Sequence, residues 1–250
     1  MGRATIACRI CGKGIEIEYQ LPDDPLLAAS CERMAEAVIC NECGANREAR
    51  AREIDTAARL ARRAERWQTI TPPFYQTSAE WLATTTTRRI NRRAIAEAQA
   101  WPEGHRGAML YGRTSGTGKT TAFYLLARRL VEAGRFVVAM GHTEFAREAT
   151  RMATEPVRAQ ERWIRMLTST DALMIDDLGK SRFLTADGSA KAAEELLGDV
   201  IDGRIHKRKP TFFTSNDLPD TLASRMSPDR AGPFVRRLNE FCIPINFDQL

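Results

Sequence analysis

The chain has 250 residues, 43% of them apolar, which is enough for one sizeable domain plus a small appendage whose core does not depend on disulfides. No apolar run approaches the ~18 residues of a membrane span, and the start MGRATIACRICG lacks the hydrophobic stretch of a secretory signal, so no membrane association and a cytoplasmic location are expected. The net charge of +5 is a mild excess that points only weakly to nucleic acid. Its distribution is more informative: basic residues cluster at 47–66, 88–93 and 204–209, each a place where phosphates could be neutralised or where a helix simply meets solvent.

Five of the six cysteines fall in the first 43 residues. Cys8-Arg-Ile-Cys11 and Cys40-Asn-Glu-Cys43 are two C-x-x-C pairs, the spacing that lets two thiolates from one tight turn take adjacent corners of a tetrahedral Zn²⁺ site. Gly12 and Gly44 follow the pairs and allow the sharp turn that brings backbone N–H groups toward sulfur. The 28 residues between the pairs exceed the usual span of about 15–20. A hairpin at Ile15–Tyr19 and a loop through Pro22 and Pro25 are expected to fill them, with Cys31 either replacing one ligand or packing as a small hydrophobe. A reducing compartment disfavours disulfides, which leaves a zinc-binding module over residues 1–45.

Residues 46–69 are rich in Ala, Arg and Glu and free of Pro and Gly, which predicts a helical linker. Ile70-Thr-Pro-Pro ends it, because the residue before a proline is pushed out of the α region, and a second domain over residues 70–250 begins there. Helix-like stretches near 79–82 and 89–100 follow.

The apolar run Ala108–Tyr111 then leads into Gly112-Arg113-Thr114-Ser115-Gly116-Thr117-Gly118-Lys119-Thr120-Thr121 and a helix. A glycine-containing loop between a strand and a helix turns backbone N–H groups onto phosphates, and the helix N-terminus adds its positive end. Lys119 reaches the outer phosphates of a nucleoside triphosphate, and the Thr120 hydroxyl is placed to ligate Mg²⁺. One position departs from G-x-x-x-x-G-K-[ST]: counting back from Lys119, Arg113 stands where the first glycine belongs and Gly112 lies one residue earlier.

Further apolar runs at 136–140, 172–175, 211–214 and 242–247 alternate with helix-length segments between the first four, which predicts an α/β fold with a mostly parallel sheet covered on both faces. Right-handed crossovers would place every strand's carboxyl end on one edge. Asp176 and Asp177 end the third run, and Asn216 follows the fourth. Asp176 is suited to hold Mg²⁺ through water, Asp177 to orient or deprotonate an attacking water, and Asn216 to hydrogen-bond that water or the γ-phosphate. Cys242 reads as core.

The ordered set Gly116–Thr120, Leu-Met-Ile-Asp-Asp-Leu-Gly ending at Gly179, and Lys-Pro-Thr-Phe-Phe-Thr-Ser-Asn ending at Asn216 resembles the AAA+ ATPases of the DnaC/IstB group over about residues 70–250. With a zinc module in front, the chain is similar to phage and chromosomal helicase-loader-like proteins. The resemblance implies Walker A, Walker B and sensor 1 roles for the three segments, strand order 5-1-4-3-2, and an arginine finger given in trans within a helical homo-oligomer. Its candidates are Arg230, Arg236 and Arg237, of which Arg237 best fits the family's pattern. Only 34 residues follow Asn216, so no full C-terminal lid is expected, and hydrolysis is expected to be slow without partners. The implied function is an ATP-driven loader of a replicative helicase that touches single-stranded DNA. Alternatives are an IstB-like ATPase that binds duplex DNA and directs a transposase, and a nucleotide-sensing module without turnover.

Overall fold

The structure is a computed structural model and describes residues 2–19, 38–76, 78–85, 89–102, 104, 106–180, 189–224, 226 and 228–248. Cys31, Pro22, Pro25 and Arg88 lie outside the described residues. The chain divides into two compact units, Met1–Arg62 and Arg63–Leu250.

In the first unit β1 (Gly2–Ala7) pairs antiparallel with β2 (Gly14–Tyr19), in a register running from Gly2 opposite Tyr19 to Ala7 opposite Gly14. The expected hairpin at Ile15–Tyr19 is therefore corrected: that segment is a single strand, and its partner precedes the first cysteine pair. Five residues are too few to fold back on themselves, whereas the Ile15-Glu16-Ile17-Glu18 alternation has the period of 2 of one half-covered strand. Cys8 and Cys11 sit in the turn of the hairpin, closed by Cys8 N–H to Lys13 O (2.8 Å) and Gly12 N–H to Cys8 O (2.9 Å), with Gly12 at φ 73°. Helix α1 (Asn41–Ile70) starts inside the second pair, so Cys43 lies on its first turn. Ion pairs Glu48–Arg52 and Asp55–Arg59 at i,i+4 support it, none of its residues is buried, and it ends just before Pro72-Pro73.

In the second unit the short helices α2 (Pro73–Gln76), α3 (Ser78–Thr84) and α4 (Arg92–Gln99) precede β3 (Gly107–Tyr111) and α5 (Lys119–Glu132). Then come β4 (Val137–Gly141), α6 (His142–Met152), α7 (Val157–Ser169), β5 (Ala172–Leu178), α8 (Ser189–His206) and β6 (Thr211–Ser215). The segment before β7 (Cys242–Asn246) is also helical, as α9 (Pro219–Ala223) and α10 (Pro228–Phe241); Gly232 and Pro233 weaken the helical signal of that stretch. The five strands are parallel in the order β4-β5-β6-β3-β7, which is 5-1-4-3-2 when the sheet's strands are numbered along the chain.

Neighbouring strand residues point to opposite faces, and each face buries its own set. Ala108, Leu110, Met174 and Phe212 pack with Phe123, Leu126 and Leu130 of α5. Met109, Leu173, Ile175 and Phe213 pack with Phe145, Leu167, Leu197 and Val200 of α6, α7 and α8. This double cover explains the apolar runs at the centres of β3, β4 and β5. Cys242 is buried in the second set.

Arg204, counted on sequence grounds within a basic cluster, is fully buried. Its guanidinium donates to Leu167 O (2.6 Å), Thr170 O (3.0 Å), Pro210 O (2.6 Å) and Thr211 Oγ1 (2.9 Å), so it ties α7 and α8 to β6 and is not available to phosphates.

Gly107 begins β3, where a Cβ would lie 1.6 Å from the carbonyl oxygen of Thr211. No side chain can yield there, since the obstacle is the backbone of the adjacent strand. Gly107→Ala is expected to destabilise this unit by about 3 kcal/mol or more. Thermal unfolding should register it as a fall in Tm of roughly 6–12 °C.

Candidate nucleotide site and cysteine cluster

The carboxyl ends of β3, β5 and β6 meet the N-terminus of α5 at one sheet edge. An open cleft of about 370 Å³ there is lined by Ser115–Thr121, Asp177 and Asn216, and by Phe74, Tyr75 and Ile90 from the segment ahead of β3. Gly116 (φ 79°) and Gly118 (φ 96°) hold left-handed backbone, the conformation by which such a loop turns N–H groups toward an anion at little steric cost. Arg113 is not among the positive-φ residues, so the displaced glycine imposes no backbone strain at that position.

Lys119 is buried and donates from Nζ to Gly112 O and Thr114 O, both at 2.8 Å. Burial pulls its pKa below the usual lysine value, and nearby Asp248, Asp177 and Asp176 oppose that shift. The Thr120 hydroxyl donates to Asp176 Oδ1 at 3.2 Å. A hydroxyl and a carboxylate side by side fit a Mg²⁺ site in which Thr120 would ligate the ion and Asp176 would hold it through water. Burial raises the Asp176 pKa above the ordinary carboxylate value; hydrogen bonds from Thr214 and Thr120 partly offset it, and the charge of Asp177 adds to it.

Asp177 occupies a bulge. Ile175 pairs with Phe213 and Leu178 with Ser215, so β5 carries one extra residue, and Asp177 adopts φ 58°. Left-handed backbone at an aspartate costs about 1–2 kcal/mol and turns the side chain to the cleft, where Lys180 Nζ meets Oδ2 at 2.8 Å. The Thr214 hydroxyl joins both acids: it donates to Asp176 Oδ1 and accepts the Asp177 N–H at 2.8 Å. Asn216 is exposed to the cleft.

Of the ten loop residues singled out on sequence grounds, Ser115–Thr121 line the cleft. Gly112, Arg113 and Thr114 are turned elsewhere, their N–H and C=O groups engaged by Asp248 and Lys119. Thr214, Lys180, Asp248 and Tyr75 were not foreseen. Tyr75 stacks on Tyr124 with ring centroids 4.9 Å apart, its hydroxyl bonds Thr120, and burial together with Asp176 raises its pKa.

The three arginines on α10 differ in freedom. Arg237 forms a bidentate pair with Asp202 of the same chain, with Nη2 2.6 Å from Oδ2, and Arg230 pairs with Glu195 at 3.0 Å. Arg236 is 69% exposed and only 3.9 Å from Glu240. To reach a neighbouring subunit Arg237 would first give up a charge-assisted fork, and Arg236 would give up little.

In the first unit the sulfurs of Cys8, Cys11, Cys40 and Cys43 all lie within 4.8 Å of one another. Cys11 Sγ and Cys40 Sγ are 3.7 Å apart, far beyond the ~2.05 Å of a disulfide. That distance is close to the ~3.8 Å edge of a tetrahedron with Zn–S bonds of about 2.3 Å. Cys8 Sγ accepts N–H groups from Cys40 (3.3 Å) and Ile10 (3.5 Å), and N–H donors from Cys40, Cys11 and Ile10 pull its pKa down to about 6. The donor set fits zinc.

No described family profile matches the chain. A curated relative, the replicative helicase loader DnaI of Bacillus subtilis (strain 168), is 29% identical over 127 residues. The match covers 51% of this chain and 38% of that protein. Over about half its length the chain is thus similar to a DnaI helicase loader, and it spans less than half of that protein. Among solved structures, the DnaC helicase loader overlays with a TM-score of 0.50 at 19% identity, over 64% of this chain and 91% of that one. The replication initiator DnaA bound to AMPPCP and single-stranded DNA gives the same TM-score at 19% identity, over 66% of this chain and 48% of that one. The second unit thus shares the α/β fold of these structures, and the other unit carries a cysteine cluster suited to zinc.

Proposed function

We propose that this protein is an ATP-driven loader that places a replicative helicase on DNA, works as a homo-oligomer and touches single-stranded DNA. The observation that carries the reading is the convergence of Lys119, Thr120, Asp176, Asp177 and Asn216 on one sheet edge, in a chain homologous to a helicase loader. Bound Mg²⁺ would be held by Thr120 and Asp176 and would neutralise charge on the β- and γ-phosphates. On nucleotide binding Lys119 exchanges its two carbonyl partners for phosphate oxygens. Asp177, aimed by its bulge, takes the water proton while Asn216 fixes that water and senses the γ-phosphate. A neighbouring subunit's α10 arginine completes the site, and the exposure of Arg236 favours it for that part.

The test is ATP turnover with Mg²⁺, single-stranded DNA and the helicase of the same host. Lys119→Ala is expected to fall to background. Equal turnover in that variant would refute the nucleotide assignment, and turnover without any helicase deposition on DNA would refute the loader assignment.

A further inference from the structure

The displaced glycine of the phosphate loop has a physical counterpart. A Cβ at Gly112 would lie 2.9 Å from Asp248 Oδ1, 3.1 Å from its Cγ and 3.2 Å from its backbone nitrogen. Asp248 follows β7, fixed by Phe247 N–H to Tyr111 O (2.8 Å) and by its own N–H to Asn246 Oδ1 (2.9 Å). From there its carboxylate accepts the N–H of Arg113 on Oδ2 (2.7 Å) and that of Thr114 on Oδ1 (2.9 Å).

The peptide joining Gly112 to Arg113 is trans, so its N–H and C=O point in opposite directions. Asp248 holds the N–H end at 2.7 Å, and Lys119 Nζ holds the C=O end at 2.8 Å. Lys119 also holds Thr114 O, which places the acid and the lysine on either side of the loop's first turn. We propose that Asp248 is a positioning residue of the nucleotide site: a carboxylate clasp that fixes the loop's opening peptides, with Gly112 as the glycine that admits it. This rests on the nucleotide-binding reading above. Burial works to raise the Asp248 pKa, but the N–H groups of Thr114 and Arg113 and the Lys119 charge outweigh it and keep the acid ionised.

A loop released from the clasp must be ordered by the ligand itself, so affinity falls. Titration with a fluorescent ATP analogue and Mg²⁺ is expected to give a 5- to 20-fold weaker Kd for Asp248→Ala, with Tm nearly unchanged. Asp248→Asn keeps one acceptor oxygen and is expected to lose an intermediate amount; it carries the test if Asp248→Ala does not fold. Gly112→Ala alone should weaken binding to a similar degree by pushing the carboxylate away, yet add little in the Asp248→Ala background. That non-additivity is not produced by a general loss of stability or by a long-range charge effect. Unchanged or tighter binding by Asp248→Ala, or additive losses in the double variant, would overturn the clasp. A wild-type protein that binds no nucleotide would instead remove the site, and the clasp with it; unaltered binding by Lys119→Ala would show a nucleotide held elsewhere.

Discussion

Asp177→Asn is expected to bind Mg-ATP about as well as the wild type and to hydrolyse it at least about 100-fold more slowly, the lower end of what loss of a positioned base costs. Phosphate release under single turnover, set beside nucleotide affinity, separates the two effects. The expectation follows from the division of labour between adjacent acids. Asp176 is buried against the hydroxyls of Thr120 and Thr214, in place to serve the metal, whereas Asp177 is lifted out of the strand by a bulge and faces the cleft. Asparagine retains the volume and tolerates left-handed backbone, so φ 58° remains accessible. The bond from the Asp177 N–H to the Thr214 hydroxyl uses only the backbone of residue 177 and should survive as well. What is lost is the proton acceptor. A variant that hydrolyses ATP at the wild-type rate would assign water activation to another group, and one that no longer binds ATP would place Asp177 in nucleotide binding.

The parts of this site legible in the sequence are those encoded within a few residues. A glycine loop between an apolar run and a helix, and two acids directly after four buried residues, are local patterns, and parallel topology then requires them to share an edge. The five-stranded order agrees with what the resemblance implies. The unread parts are long-range. Asp248 meets the loop across 135 residues and Arg237 meets Asp202 across 35, and nothing in the local sequence of either residue marks its partner. Thr214 was hidden by its own chemistry, because a β-branched residue in a buried strand reads as core until its hydroxyl is seen between two carboxylate-bearing residues. Arg204 was misplaced by its neighbours: in sequence it belongs to a solvated basic run, in the fold to the packing of α7 and α8 against β6.

Removal of the cysteine cluster is expected to unfold the first unit while the second still binds nucleotide. Among the described residues of Met1–Arg62, the buried side chains are Cys8 and Cys40, both of them sulfur donors of the cluster. A two-stranded hairpin such as β1–β2 is marginal in water by itself, and α1 has no buried residue to add a core. Among the described residues the cluster is therefore the main source of stabilisation, and tetrahedral thiolate zinc supplies on the order of 10–16 kcal/mol in small domains. Metal analysis should give about one Zn²⁺ per chain, and Cys8→Ser combined with Cys40→Ser should lose it. Limited proteolysis should then cut the first unit rapidly and spare the second. Acid should have a milder form of the same effect, since thiolates must be protonated for the metal to leave; Cys8, held near 6 by its N–H donors, resists that protonation below the pH at which an ordinary thiol takes up a proton. Full zinc in the double variant, or a metal-free first unit as protease-resistant as the wild type, would show that the four sulfurs are brought together by packing and not by an ion.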